Sequence, residues 1–152
     1  MDNTEKSIKI RKLQRNDKDN YLFLMRQLSG YDYSPTQFQW DMKYVIVSPG
    51  GLLFQYSNVY CAWIEKQMVG TYKILYEPKF GQDVVHIEDV VVDSEWRNKG
   101  IGTYMIKNAL NSYSGNKDVY KISLNCSKDN GAFYEKLGFK KEGYQYKLFN
   151  SL

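Results

Sequence analysis

The chain is poor in the residues that build metal centres, disulfide frameworks and membrane anchors. Its 152 residues include two cysteines, one histidine and three prolines. Cys61 and Cys126 lie far apart, without metal-ligand spacing, and read as free thiols in a reducing compartment. Cys126 is expected mid-strand, as a buried structural thiol rather than a nucleophile. The lone His86 cannot assemble a histidine-based triad or zinc site by itself and reads as a strand-start residue. No stretch approaches the ~20 apolar residues of a membrane span. The opening Met1-Asp2-Asn3-Thr4-Glu5-Lys6 is polar and carries no apolar signal region. Charge of one sign is not concentrated anywhere. The net charge is +4 with Lys and Arg spread along the chain, which argues against nucleic-acid binding. These absences point to the cytoplasm and to a chain without a metal or a membrane span.

What is present fits one α/β domain over residues 1–152, long enough to bury a real core. Hydrophobic residues make up 43% and charged residues 25%, the balance of a globular protein. The fourteen tyrosines read as core or dimer-interface side chains rather than as a stacking platform for bases. Mild positive charge suits phosphorylated small ligands.

The run from Glu88 to Gly102 carries the most information. Val90-Val91-Val92 suits a strand covered on both faces. A turn follows, and then Ile106, Ala109, Leu110 and Tyr113 recur at the spacing of one helix face. A helix N-terminus leaves N–H groups unpaired and carries partial positive charge, so it can hold a pyrophosphate. Gly100 and Gly102 allow close backbone approach, and Arg97 and Lys99 add formal charge. A dinucleotide fingerprint is excluded, because position 105 is Met where a third glycine is needed. A Walker loop is excluded for lack of Gly-Lys-Ser/Thr.

The surviving pattern, Arg97-x-x-Gly100-x-Gly102 directly after an apolar strand, resembles the acetyl-coenzyme A loop of the GNAT superfamily of N-acetyltransferases. Asn130-x-x-Phe133-Tyr134-Glu135-Lys136-x-Gly138-Phe139 agrees with that superfamily at large. His86-Ile87-Glu88-Asp89 and Tyr120-Lys121-x-x-Leu124-x-Cys126 are similar to the branch that acetylates glucosamine 6-phosphate for UDP-N-acetylglucosamine synthesis. Close resemblance covers residues 84 to 143, and a looser match reaches back to Ile8. Two positions depart from the branch. Asn125 stands where an Asp is usual, and Lys147 is the nearest cation where the last strand usually offers Arg. Asn keeps the shape but loses the charge; Lys keeps the charge but loses the bidentate fork.

The resemblance implies a GNAT acyl-CoA N-acyltransferase fold, with a mixed central sheet and helices on both faces. It implies a homodimer with composite sites, formed by exchange of C-terminal strands. The implied reaction passes the acetyl group of acetyl-CoA to an amine in a ternary complex, without a covalent enzyme intermediate. A thioester is already reactive, so orientation and oxyanion stabilisation are what the protein must supply. Backbone N–H groups around Val90, Val91 and Val92 are the expected oxyanion donors. Arg97, Asn98, Lys99, Gly100, Ile101, Gly102 and Thr103 would hold the pyrophosphate end. Phe133 and Asn130 would lie along the cofactor arm, and Tyr134 would protonate or hydrogen-bond the leaving thiolate. Asn125 sits by the amine but cannot act as a base, so that duty falls to Glu88, a water or a backbone carbonyl. The acceptor would meet Ser29, Lys79, Phe80, Glu88, Asp89, Tyr120, Lys121, Asn125 and Lys147. Glu88 and Asp89 cannot share one side of a regular strand unless a bulge re-aims them. Another small amine, or a peptide amine, is the alternative acceptor.

Along the chain, Ile8–Leu13 reads as a strand. Asn16 or Asp17 can cap a helix with Tyr21, Leu24, Met25 and Leu28 on one face, closed at Ser29-Gly30. A second helix is expected from Ser34-Pro35 to about Val45, and Ser48-Pro49-Gly50-Gly51 breaks the chain. Asn58–Ile64 and Met68–Tyr76 read as a hairpin, with Glu77–Gln82 as a polar loop. Strands are expected at His86–Asp93, Lys121–Cys126 and Tyr144–Phe149, with a short helix at Asn130–Leu137 capped by Gly138.

Overall fold

The computed structural model describes residues 7–32, 46–47, 53–54, 57–143 and 145–148. Strand β1 (Ile8–Lys12) leads through a 3-10 turn at Arg15–Asp17 into helix α1 (Lys18–Ser29). Short strands β2 (Ile46–Val47) and β3 (Leu53–Phe54) pair antiparallel with each other. Then come β4 (Ser57–Ile64), β5 (Gln67–Glu77), β6 (Asp83–Val92), helix α2 (Ile101–Tyr113), β7 (Val119–Leu124) and helix α3 (Gly131–Lys136). The five-stranded sheet runs β1-β4-β5-β6-β7, antiparallel except for the parallel pair β6–β7. The expected mixed sheet is therefore present.

Two apolar layers sandwich it. On one face, Ile101, Met105, Ile106 and Ala109 of α2 pack with Val69, Tyr72, Ile74, Val85 and Ile87. On the other, Tyr21, Leu24 and Met25 of α1 pack with Cys61, Met68 and Val91. Helices thus cover both faces, as the periodicity requires. Glycine at position 70 lets α2 approach β5 closely. A Cβ there would come within 2.6 Å of Met105 Sδ and 3.0 Å of the Val91 carbonyl oxygen.

Several expectations shift. Asp17 stands at the helix N-cap, but its carboxylate does not cap. Its oxygens accept from Arg11 Nη1 (2.6 Å) and Nη2 (2.8 Å) and from the Gln14 N–H (2.7 Å). Leu28 is 42% exposed instead of completing the buried face. Gly30 and Gly138 close their helices with positive φ, as expected. The hairpin partner of β4 runs on to Glu77. The expected breaker at 48–51 lies outside the described residues. The expected helix at 34–45 lies outside the described residues. Strand β7 stops at Leu124, where its ladder with β6 ends at Ile87 and no other strand among the described residues takes it up. Cys126 is consequently exposed, not buried in a strand. Residues 145–148 belong to no strand, and Tyr146 and Leu148 are 91% and 97% exposed. Nothing in the described part of the chain pairs with them.

Candidate functional site

Strand β6 is the axis of the site. Its parallel pairing with β7 begins at Asp83–Val119 and ends at Ile87–Leu124. From Glu88 to Val92 the strand keeps β5 on one side and has no strand on the other among the described residues. A buried backbone without a ladder partner needs water or a ligand to satisfy its polar groups. That open edge is therefore a candidate slot with peptide groups along one wall.

A bulge sits at the head of this slot. Lys73 pairs with Glu88 and Thr71 with Val91, so Asp89 and Val90 stand opposite Tyr72 alone. Asp89 takes φ 50°, in the left-handed region that an Asp tolerates better than most residues. Its Oδ2 lies 2.9 Å from Lys73 Nζ. The extra residue re-aims Asp89 toward the Lys73 side of the sheet, the one arrangement in which both acids serve one face. Glu88 is half-buried. Burial first, and then the Asp89 charge, push its carboxyl above the ordinary range.

At the far end of β6, Asp93 is buried and its Oδ1 accepts from the N–H of Glu95 (3.2 Å). Gln27 of α1 ties the same turn down. Its Nε2 donates to Asp93 Oδ1 (3.3 Å) and its Oε1 accepts from the Ser94 N–H (2.9 Å). The chain then turns through Asn98 (φ 61°) and Gly100 (φ 79°) into α2. Gly100 thus owes its identity to a left-handed N-cap. The first bond of the helix runs from the Tyr104 N–H to the Gly100 carbonyl (2.9 Å), which leaves the N–H groups of Ile101, Gly102 and Thr103 at the helix mouth. A Cβ on Gly102 would meet Phe133 Cζ at 3.4 Å and Val92 Cγ2 at 3.6 Å. The missing side chain thus opens the gap between β6 and α3. Arg97 Nε donates to the Val92 carbonyl (3.1 Å), and the Lys99 ammonium lies 4.7 Å from the Trp96 ring centre. Val91 and Ile101 bury their side chains in the two core layers, so only their backbones could face a ligand.

Tyr134 is buried, edge-on to Phe133 (4.9 Å) and Phe139 (5.9 Å). Burial raises its hydroxyl pKa, which favours the protonated form that a proton donor needs. Asn130 is exposed at the N-cap of α3.

Four of the expected acceptor residues meet. Lys79, Phe80, Tyr120 and Lys121 line one cleft of about 500 Å³ between the β5–β6 loop and β7. Phe80 is fully exposed and Tyr120 is 67% exposed. Register puts Lys121 beside Val84 and Ser123 beside His86, so Lys121, Ser123, His86 and Glu88 share one face of the sheet. Asn125 lies just beyond the end of β7 and is exposed, and Lys147 is exposed outside any strand. Ser29 is not brought to the cleft. Its Oγ donates to the Met25 carbonyl (3.0 Å) and accepts from the Tyr31 N–H (3.1 Å).

Sequence reading missed Gln27, Lys73, Glu77, Ser123 and Gly70. Lys73 left a trace as the one charge between Met68 and Tyr76. The others left none: Gln27, Ser123 and Gly70 meet partners far along the chain, and Glu77 reads as the first residue of a polar loop. Among the described residues, no three His, Cys, Asp or Glu side chains are placed to hold a metal ion, and no helix is long and apolar enough to cross a membrane.

The profile of the Acetyltransferase (GNAT) family matches residues 21–139. The chain is 33% identical over 147 residues to a glucosamine 6-phosphate N-acetyltransferase of Arabidopsis thaliana, covering 91% of this chain and 94% of that one. It is 30% identical over 150 residues to the Candida albicans enzyme of the same name, with coverage of 90% and 91%. The Trypanosoma brucei brucei enzyme is 39% identical over 95 residues, which span 64% of its length. Among solved structures, the Arabidopsis thaliana glucosamine-6-phosphate N-acetyltransferase superposes with a TM-score of 0.77 at 26% identity, over 95% of this chain and 99% of the other.

Proposed function

The chain belongs to the acetyltransferase (GNAT) family, and on that premise we propose that it transfers the acetyl group of acetyl-coenzyme A to the amine of D-glucosamine 6-phosphate. The observation that carries the acceptor is the cleft that sets Lys79 and Lys121 beside the same sheet face as Glu88. Two ammonium groups at one end and a carboxylate further along suit a small molecule with an anionic group and an amine. Acetyl-coenzyme A supplies an activated acyl thioester when bound. The N–H groups of residues 101–103, with Arg97 and Lys99, would hold its pyrophosphate, and the slot beside Glu88–Val92 would take its arm.

Chemistry then rests on this chain's own groups. Glu88, or a water it holds, takes the amine proton, and its raised pKa makes the carboxylate a better base. The amine forms the new C–N bond as the C–S bond breaks, and Tyr134 returns a proton to the leaving sulfur. Backbone N–H groups at Val90 to Val92 steady the oxyanion. Asn125 orients the amine without accepting its proton. Ser29, Asp89 and Lys147 are assigned to the acceptor by family position. Exposed Tyr120, Tyr146 and Leu148 support a homodimer in which a second copy covers them.

Thiol release from acetyl-coenzyme A, measured with glucosamine 6-phosphate, glucosamine, spermidine and a lysine peptide, tests the proposal. The phosphosugar should be the preferred acceptor. Efficient turnover of spermidine or the peptide, with the phosphosugar left unused, would overturn the acceptor and leave the family untouched.

A further inference from the structure

A line of side-chain hydrogen bonds crosses three strands and ends on a lysine of the acceptor cleft. Ser123 Oγ on β7 lies 2.9 Å from His86 Nδ1 on β6. His86 Nε2 lies 2.7 Å from Glu77 Oε2 on β5. The other carboxylate oxygen, Oε1, pairs with the Lys79 ammonium. The register explains the line. His86 pairs with Ser123 on one side and with Leu75 on the other, and Glu77, two residues beyond Leu75, returns to the same face.

We propose that His86 is a positioning residue for the anionic end of the acceptor, acting through Glu77 on Lys79. The inference rests on the phosphosugar reading above and deepens it. An exposed lysine–glutamate pair is ordinarily weak, because two long side chains must be held still in water. Here the side chains of Lys79 and Glu77 are 52% and 43% exposed, so the pair alone would wander. His86, at 28%, anchors the second carboxylate oxygen from a less exposed position. An ionised carboxylate only accepts, so Nε2 carries the hydrogen. Nδ1 then accepts from the Ser123 hydroxyl when the ring is neutral, and donates to its oxygen when the ring is charged. Both ring nitrogens keep a partner in either state, so the ring orientation survives protonation. Lys79 and His86 hold the Glu77 carboxyl below the ordinary glutamate range, which keeps it an acceptor. The far end of the loop is held as well, by Gln82 Nε2 donating to the Lys117 carbonyl (3.2 Å) and by the Asp83 N–H donating to the Asp118 carbonyl (2.7 Å). Lys79 thus faces Lys121 across the cleft from a loop fastened at both ends.

The test is kcat and KM for glucosamine 6-phosphate and glucosamine in the full chain and in His86→Ala, His86→Gln, Glu77→Gln, Ser123→Ala and Lys79→Met. The quantity read is the ratio of kcat/KM for the two sugars. His86→Ala and Glu77→Gln should lower it by about 3- to 10-fold, through KM for the phosphosugar with kcat little changed. His86→Gln, which can still span Ser123 and Glu77, should recover part of the loss. Placed on Lys79→Met, His86→Ala should change the ratio no further, because the two act in series. A merely structural His86 would depress both sugars alike, or add its full effect to Lys79→Met, and either result overturns the inference. A ratio near one in the unaltered chain overturns the phosphosugar reading and this inference with it. A large ratio that Lys79→Met abolishes and His86→Ala leaves intact overturns the inference alone. Should His86→Ala fail to fold, Glu77→Gln, altered at a half-exposed side chain, carries the same test.

Discussion

Lys73 Nζ lies 2.9 Å from Asp89 Oδ2, across the point where β5 and β6 fall out of step. The lysine compensates two acids at once. It pairs with Asp89, whose backbone is left-handed at the bulge, and its charge lowers the Glu88 pKa against the rise caused by burial and by Asp89. The Glu88 carboxyl is thus raised first by burial and then by Asp89, with His86 and Lys73 acting against that rise.

The first prediction follows. Glu88 has a raised folded pKa, so its base form appears only above the ordinary glutamate value of about 4.3. The acid limb of kcat/KM should lie above that value. Lys73→Met should move it to higher pH and Asp89→Asn to lower pH. A limb that stays put in both variants would assign the proton transfer to another group.

The second concerns the helix mouth. A Cβ at Gly102 would lie 3.4 Å from Phe133, in ordinary contact, so Gly102→Ala should fold and bind acetyl-coenzyme A weakly. Gly102→Val places two further methyls in the same gap and should abolish binding by calorimetric titration. Unchanged affinity in the valine variant would remove the anion cradle from the mechanism.

Tyr134→Phe gives the third. The change removes one hydroxyl and keeps the ring against Phe133 and Phe139. Turnover should fall on the order of 10- to 1000-fold, as for loss of one acid–base group. Near-normal turnover with chemistry rate-limiting would make Tyr134 a core residue only.

Stability supplies the fourth. Arg11 and the Gln14 N–H hold the Asp17 carboxyl below its ordinary range. The folded pKa is depressed, so the stabilisation is complete above the unfolded value of about 3.9 and is lost as pH falls through the folded value. Asp17→Asn should cost about 1.5–3 kcal/mol at pH 7 by denaturant titration, with the difference from the parent shrinking in acid. A constant difference at every pH would mean that packing, not charge, is what the substitution removes.

The hairpin, the order of the main strands and the glycine turn into α2 were legible because each is written in local pattern: alternation, a glycine pair, an amphipathic repeat. The bulge was hidden. Val85 and Ile87 face the α2 layer, and so do Val90 and Val92, so the apolar spacing lengthens from two to three at Asp89. Val91, apolar as well and buried in the opposite layer, masked that change of phase. Cys126 was misplaced because a strand's end depends on its neighbour, and β6 leaves β7 at Ile87. Gln27 clamps a turn far along the chain from itself, and side-chain bonds of that range have no signature in sequence.

The unfinished ladder between Glu88 and Val92 also bears on how firmly the fold holds together. Whatever seats itself against those peptide groups binds the native state and finds no equivalent surface on the unfolded chain. By linkage, such a ligand at about 100 times its Kd adds about 2.7 kcal/mol to the unfolding free energy. The resistance of this sheet to heat and denaturant should therefore rise and fall with the acyl-coenzyme A supply around it, making metabolite abundance a determinant of the protein's lifetime as well as of its rate.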